Sequence, residues 1–226
     1  MKKTIRKIPS SLFENEYNNL IIWEPEKMDG NTPVIFIYDG QILKTEEKEF
    51  FEKKGIEIFK HSQKIIGSCV IIAVNSMRKN DKHKYKKRVM ELKNYKNKDY
   101  AFMKIIRNEV LALNKIYIGP WFGIGFSLSG WLIGKENIFD LNIMISPFVE
   151  NDIYNLSLNS VVFFGSKEYY FFSNKKINKP LLSLQEKNKD IKFFEIKKMK
   201  HTFKSWNKYM HFILKESIAT YLKLKK

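Results

Sequence analysis

Short, unbroken apolar runs separated by polar and charged stretches set the pattern of this chain. Pro33-Val34-Ile35-Phe36-Ile37-Tyr38 is a continuous β-branched and aromatic run, the pattern of a strand covered on both faces in a parallel sheet, and residues 68–74 read as the next buried strand. Residues 117–124, Leu141-Asn142-Ile143-Met144-Ile145 and Ser160-Val161-Val162-Phe163-Phe164 read as further buried strands. Leu20-Ile21-Ile22-Trp23 predicts a short strand that stops at Glu24-Pro25, before a turn at Asp29-Gly30-Asn31. Ile191-Lys192-Phe193-Phe194-Glu195-Ile196 alternates more and is expected nearer an edge, whereas residues 1–20 are mixed and polar, with Phe13 and Tyr17 as their main apolar points.

Between these runs the apolar spacing turns helical. Residues 46–60 carry Phe50, Phe51, Ile56 and Phe59, with a break at Gly55. Residues 100–115 place Phe102, Ile105, Ile106, Val110 and Leu111 at three-to-four spacing behind Asp99 as N-cap. Residues 206–222 present Trp206, Tyr209, Met210, Ile213, Leu214, Ile218 and Tyr221 as one apolar face. Strand and helix in alternation imply an α/β fold with a mostly parallel, doubly wound sheet flanked by helices. No internal repeat and no linker rich in Pro, Ser or Gly divides the chain, so residues 1–226 read as one domain.

Composition adjusts this picture in three ways. A hydrophobic content of 44% and an aromatic content of 15% in 226 residues suit a globular core and exclude a disordered chain. No apolar run reaches the roughly 18 residues of a membrane span. The basic start Met1-Lys2-Lys3 lacks the apolar segment of a signal peptide, since Glu14, Asn15, Glu16 and Asn18 arrive too soon. With a single cysteine, Cys69, inside a buried run, a reducing and cytoplasmic setting is expected. The formal charge of +17 fits a nucleic-acid, membrane or anionic-substrate partner. It also fits a plain compositional bias, in which Lys, Asn and Ile are all inflated together. The lysines are spread along the chain, with one dense cluster over residues 78–98 that would form a positive rim if it lies near a site. No helix-turn-helix, zinc-finger or RNP-type pattern accompanies the charge, so a specific nucleic-acid partner is not expected.

Candidate chemistry starts at Gly125-Phe126-Ser127-Leu128-Ser129-Gly130. This approximates G-x-S-x-G, in which a strand turns sharply into a helix and holds a serine in a strained conformation. Strand and helix pass so closely there that the positions two before and two after the serine must be small, and Gly125 and Ser129 meet that need. Active groups in such sheets lie at the carboxyl ends of strands. One strand ends at Ser127, the next but one at Glu168, and the last leads to His201. A serine hydroxyl needs an imidazole to take its proton, and the imidazole needs a carboxylate to fix its tautomer. A tetrahedral oxyanion needs amides already aimed at it, here those of Leu128 and of the Gly40-Gln41 turn.

For each residue a plainer role is open. Ser127 could be a turn serine, Glu168 has Glu150, Asp152 and Asp190 as rivals, and Asp39 is better suited to fixing its turn by hydrogen bonds. Arg78 is either a solvated charge or a contact for an acidic substrate. Of the four histidines, His61 and His83 lie in polar surroundings and His211 lies in the final helix. A binding protein for nucleic acid or anionic membrane, without catalysis, is the alternative class.

These pieces resemble the esterase D / enterochelin esterase-like family of α/β-hydrolases. The likeness is carried by Pro33 through Gln41, by Val70-Ile71-Ile72-Ala73-Val74-Asn75 with Arg78 downstream, and by the Ser127 elbow. It continues through Ile145-Ser146-Pro147, Phe164-Gly165-Ser166-Lys167-Glu168 and His201 followed by Trp206, all collinear over roughly residues 20–215. The resemblance implies Ser127 as nucleophile, Glu168 as acid, His201 as base and an oxyanion hole from the amides of Leu128 and Gln41. It also implies hydrolysis of a carboxylic ester or thioester, or acyl transfer, through an acyl-enzyme, with no metal or cofactor. Members include siderophore trilactone esterases, S-formylglutathione hydrolases, feruloyl esterases and mycolyl transferases. Two features depart from the family pattern: Ser129 precedes Gly130 where two glycines are usual, and the short chain leaves little or no cap. An Arg78-led basic rim would suit a small anionic ester.

Overall fold

Val34, Phe36 and Tyr38 pack on one side of their strand while Ile35 and Ile37 pack on the other, so this run is covered on both faces as its unbroken apolar pattern requires. The computed structural model describes residues 1–9, 17–43, 55–75, 86, 101–148, 156–166, 168, 178–188 and 190–225. Among them eight strands join one sheet. They are β1 (Lys2–Pro9), β2 (Tyr17–Glu24), β3 (Val34–Tyr38), β4 (Val70–Asn75), β5 (Trp121–Phe126), β6 (Leu141–Ile145), β7 (Ser160–Gly165) and β8 (Lys192–Ile196). The helices are α1 (Ile58–Ile65), α2 (Ala101–Asn114), α3 (Leu128–Ile133), α4 (Asn178–Lys187) and α5 (Phe203–Leu224), with one 3-10 turn over Gly40–Ile42.

The spatial order is β1-β2-β4-β3-β5-β6-β7-β8. β4, β3, β5, β6, β7 and β8 run parallel, while β2 pairs antiparallel with β4 and β1 with β2. β8 is an edge, as its alternation predicts. Helices α2, α3 and α4 cover one face of the sheet and α1 and α5 the other. After β4 the chain crosses back over β3 to start β5, so its direction of winding switches between β3 and β5. A crevice opens outside the carboxyl ends of strands at such a switch point. The turn after β3 and the end of β5 both lie there.

Four local differences from the sequence pattern have physical reasons. β1 has little apolar character because it is an edge ribbon whose side chains are mostly exposed, with Ile8 reaching the core. Helix α1 starts at Ile58, since Ile56 before it is held extended in a parallel bridge with Leu43, its amide donating to Ile42 O at 2.9 Å. On α2 Leu113 is buried and Leu111 exposed, which turns the apolar face from the one the spacing predicts. Helix α4 buries Leu181 and Leu184 although its polar composition masks that stripe. Residues 44–54, which hold most of the expected first helix, lie outside the described residues, as do Asp99 and most of the basic 78–98 cluster.

Two contacts hold the helices that frame the crevice. Arg107 on α2 makes a bidentate pair with the buried Glu136 beyond α3, with Nε–Oε2 2.6 Å and Nη2–Oε1 3.2 Å. Thr202 caps α5, its Oγ1 accepting the Ser205 amide at 3.2 Å. Thr202→Ala removes that acceptor, and we expect a loss of about 1 kcal/mol and a fall in Tm of about 2–4 °C. Thermal unfolding checks this, and an unchanged Tm would show that the cap carries no stability. No helix among the described residues is long and apolar enough to cross a membrane.

Candidate active site

β5 ends at Phe126, and the chain reverses through Ser127 at φ 54° and ψ −120° before α3 begins at Leu128. That backbone region is sparsely populated by non-glycine residues and is held only where the surroundings over-determine it. Three hydrogen bonds do so. The Ser127 amide donates to Ile145 O at 2.9 Å, and its carbonyl accepts from Phe148 N at 2.9 Å and Trp131 N at 3.2 Å. The hydroxyl therefore stands half-exposed above the carboxyl ends of the central strands.

The glycines around it answer to contact distances. A Cβ on Gly125 would lie 2.3 Å from the Ser129 carbonyl oxygen, and one on Gly130 would lie 2.9 Å from the Gly125 carbonyl oxygen. Ser129, buried in the slot where a second glycine was expected, uses its hydroxyl twice: it donates to Phe126 O at 2.8 Å and accepts from Phe126 N at 3.1 Å. The departure from two glycines thus adds a clamp across the turn.

His201 follows β8, three strand spacings from β5, or about 14 Å in the plane of the sheet. Its loop crosses that gap by running tightly over the end of β7. Met199 is fully buried, and its carbonyl oxygen would lie 2.1 Å from a Cβ on Gly165. Lys198 takes φ 68° to turn the loop, and its amide donates to Ser166 Oγ at 3.1 Å. The result brings His201 Nε2 to 2.9 Å from Ser127 Oγ. On the other side of the ring, Nδ1 lies 3.8 Å from Glu168 Oε2. Glu168 follows the end of β7 and is buried, and neither Nδ1 nor Oε2 has a hydrogen-bond partner.

A hydroxyl beside one imidazole nitrogen, with a carboxylate facing the other, is an arrangement able to remove the hydroxyl proton as the oxygen attacks a carbonyl carbon. Among the described residues no three His, Cys, Asp or Glu side chains gather as metal ligands.

The other sequence-derived candidates fall as follows. The 3-10 turn at Gly40–Ile42 follows β3, the strand directly beside β5, so the main chain of Gln41 and that of Leu128 open neighbouring turns at the same end of the sheet. First-turn amides have no acceptor within their own helix. Asp39 is buried at φ 62°, and its carbonyl accepts the Ile42 amide at 3.0 Å, consistent with a turn-forming role. Asp190 is exposed in the turn before β8, at the opposite end of the sheet from Ser127. Arg78, Glu150, Asp152 and His83 lie outside the described residues. His61 sits on α1, where burial lowers its imidazole pKa and Asn207 Oδ1 is 3.3 Å from Nε2.

Two residues near Glu168 carried no functional expectation. Ser146, at φ 48° just beyond β6, donates its hydroxyl to Glu168 Oε1, and Trp206 Nε1 donates to Ser146 Oγ at 2.8 Å. The available signals were Ser146 at a strand end and Trp206 at a fixed distance after His201.

No protein-family model and no curated protein matches this sequence. Solved structures do match its fold. An α/β serine hydrolase without a lid from Xanthomonas campestris aligns at TM-score 0.60 and 11% identity, over 96% of this chain and 94% of the other. An S-formylglutathione hydrolase from Agrobacterium tumefaciens aligns at TM-score 0.63 and 12% identity, over 96% and 95%. An α/β serine hydrolase homologue from Coxiella burnetii aligns at TM-score 0.59 and 10% identity, over 96% and 98%. At these identities the likeness is one of fold, and the fold is that of the α/β-hydrolases.

Proposed function

We propose that this chain is a serine hydrolase that cleaves carboxylic esters through an acyl-enzyme on Ser127. The observation that carries the reading is the 2.9 Å approach of His201 Nε2 to Ser127 Oγ at the strained turn after β5. Ser127 Oγ attacks the ester carbonyl carbon while His201 Nε2 takes its proton. The negative charge on the former carbonyl oxygen is met by the amides of Leu128 and Gln41, which need no reorganisation to receive it. His201 returns the proton to the departing alcohol, leaving an acyl-Ser127 ester. It then deprotonates a water that attacks the acyl carbon and restores the free serine. Glu168 keeps the imidazole in the tautomer with Nε2 unprotonated and stabilises it when charged.

The substrate class is a small carboxylic ester or thioester. The Agrobacterium neighbour, named as an S-formylglutathione hydrolase, supports acyl chemistry of this kind on the same scaffold. The net charge of +17 and the basic cluster beginning at Arg78 favour an anionic acid or alcohol part, a siderophore-type ester among them. The lone, buried Cys69 suits a cytoplasmic setting.

The test is direct. The purified protein is expected to release p-nitrophenol from p-nitrophenyl acetate and butyrate and to take a fluorophosphonate label on the peptide that contains Ser127. Absence of both turnover and label overturns the reading.

A further inference from the structure

The buried carboxylate of Glu168 has two oxygens in different situations. Oε2 faces His201 Nδ1 at 3.8 Å and has no hydrogen-bond partner, whereas Oε1 accepts the hydroxyl proton of Ser146. Ser146 in turn accepts from Trp206 Nε1 at 2.8 Å. The direction of this chain follows from its first member. An indole N–H can only donate, so it occupies an acceptor site of the Ser146 oxygen and leaves the hydroxyl proton for the carboxylate.

We propose that Ser146 and Trp206 are positioning residues for catalysis, a one-way hydrogen-bonded relay that holds Oε1 of Glu168 so that Oε2 is the oxygen presented to His201. The proposal rests on the esterase reading above.

Each member is placed by a different part of the fold. Ser146 lies just past β6, between the strands that lead to Ser127 and Glu168, and it is fully buried. Its left-handed backbone, φ 48°, is one a serine rarely adopts. Its amide is tied to Phe163 O on β7 at 2.7 Å, which holds the residue against the strand that leads to Glu168. Trp206 stands in the first turn of α5, five residues after His201. Its ring meets the His201 ring edge-on, with centroids 5.0 Å apart, and lies 5.3 Å from Phe126. The same indole therefore touches the imidazole with its ring and reaches the carboxylate through Ser146, coupling the positions of acid and base.

A buried carboxylate needs donors in place of the water it has lost. Ser146 is such a donor, and it leaves Oε2 for the imidazole. Hydrogen bonds of this kind are often long in the resting enzyme and tighten during reaction. With Oε1 anchored, closing the 3.8 Å separation requires a small movement of the ring or carboxylate rather than a choice between two oxygens. Ser146 has no exposed surface and does not touch substrate, so its loss acts on turnover and not on binding.

The experiment measures kcat and KM for p-nitrophenyl butyrate in Ser146→Ala, Trp206→Phe, Glu168→Ala and the Ser146→Ala/Glu168→Ala double variant. Ser146→Ala is expected to lower kcat about 10- to 100-fold, the scale of one hydrogen bond to a charged group, with KM within about twofold. Trp206→Phe keeps an aromatic ring and removes the N–H, with an expected loss of about 3- to 10-fold in kcat. In the Glu168→Ala background, Ser146→Ala should change kcat by less than about twofold, because residues acting through one another are not additive.

Equal losses in both backgrounds, or a Ser146→Ala enzyme with wild-type kcat, overturn the relay. If Ser146→Ala does not fold, Trp206→Phe and its pairing with Glu168→Ala decide on the same readouts. A wild type with neither turnover nor fluorophosphonate label overturns the esterase reading and the relay with it. A wild type that depends on Glu168 but is indifferent to Ser146→Ala overturns the relay alone.

Discussion

Ser127→Ala is expected to lower ester turnover by about 10⁴- to 10⁶-fold, the range seen when the nucleophile of a coupled triad is removed. The loss is large because the remaining groups cannot substitute. His201 keeps a basic nitrogen, but the atom that lay 2.9 Å from it and was to form the acyl bond is gone. Rate enhancement then falls to what binding and oxyanion stabilisation provide on their own. The fold should be untouched. Ser127 holds its strained turn through its amide and carbonyl, which alanine retains. The check is kcat/KM on p-nitrophenyl acetate together with Tm: a folded variant that keeps wild-type turnover removes Ser127 from the mechanism.

The second large effect is on the frame around the serine. Gly125→Ala puts a methyl group 2.3 Å from the Ser129 carbonyl oxygen and 2.6 Å from its carbon. Both are backbone atoms of α3, so no rotamer change can relieve the overlap, and strand and helix must move apart. Overpacking of this kind falls at the upper end of its usual range, about 3 kcal/mol, or a fall in Tm of about 6–12 °C. Activity should drop by more than stability, since the helix that must move begins with the proposed oxyanion amide of Leu128. Thermal unfolding and ester turnover measured on one preparation test both parts. A variant with wild-type Tm would mean that β5 and α3 are not packed as closely as these distances require.

The elbow was legible in the sequence because its constraint is local. Strand, turn and helix are contiguous, and small residues at 125, 129 and 130 are the steric condition for their crossing. The buried strands were legible for a similar reason, since a strand covered on both faces has no polar period to hide behind. Ser129 could be recognised only as small enough. That its hydroxyl bridges both polar groups of Phe126 is a matter of side-chain direction inside the turn. The edge ribbon β1 and helix α4 left faint patterns, one because little of it is buried and the other because the buried Leu181 and Leu184 stand in a polar sequence.

The carboxylate is the instructive case. By its place at a strand end Glu168 led, with Glu150, Asp152 and Asp190 as rivals. Asp190 proves to be exposed at the far end of the sheet, while the buried Glu168 lies within reach of His201. Ser146 was visible as a strand end, and Trp206 as a member of an apolar helix face at a fixed distance after His201, but neither position pointed to their contact. Their bond spans 60 positions and that between Ser146 and Glu168 spans 22, so no local period registers either.

By itself the sequence determined the alternation of buried strands and amphipathic helices, the strained serine turn and the chain order of serine, carboxylate and histidine. All of these follow from neighbour-to-neighbour sterics and from burial. Only the tertiary structure decided which groups meet. Winding in both directions from β3 sets the Gly40–Ile42 turn beside the elbow, and the loop over Gly165 carries His201 back across three strands. Strand order and loop path arise from packing between distant segments, and that packing is what turns three separated residues into one candidate site.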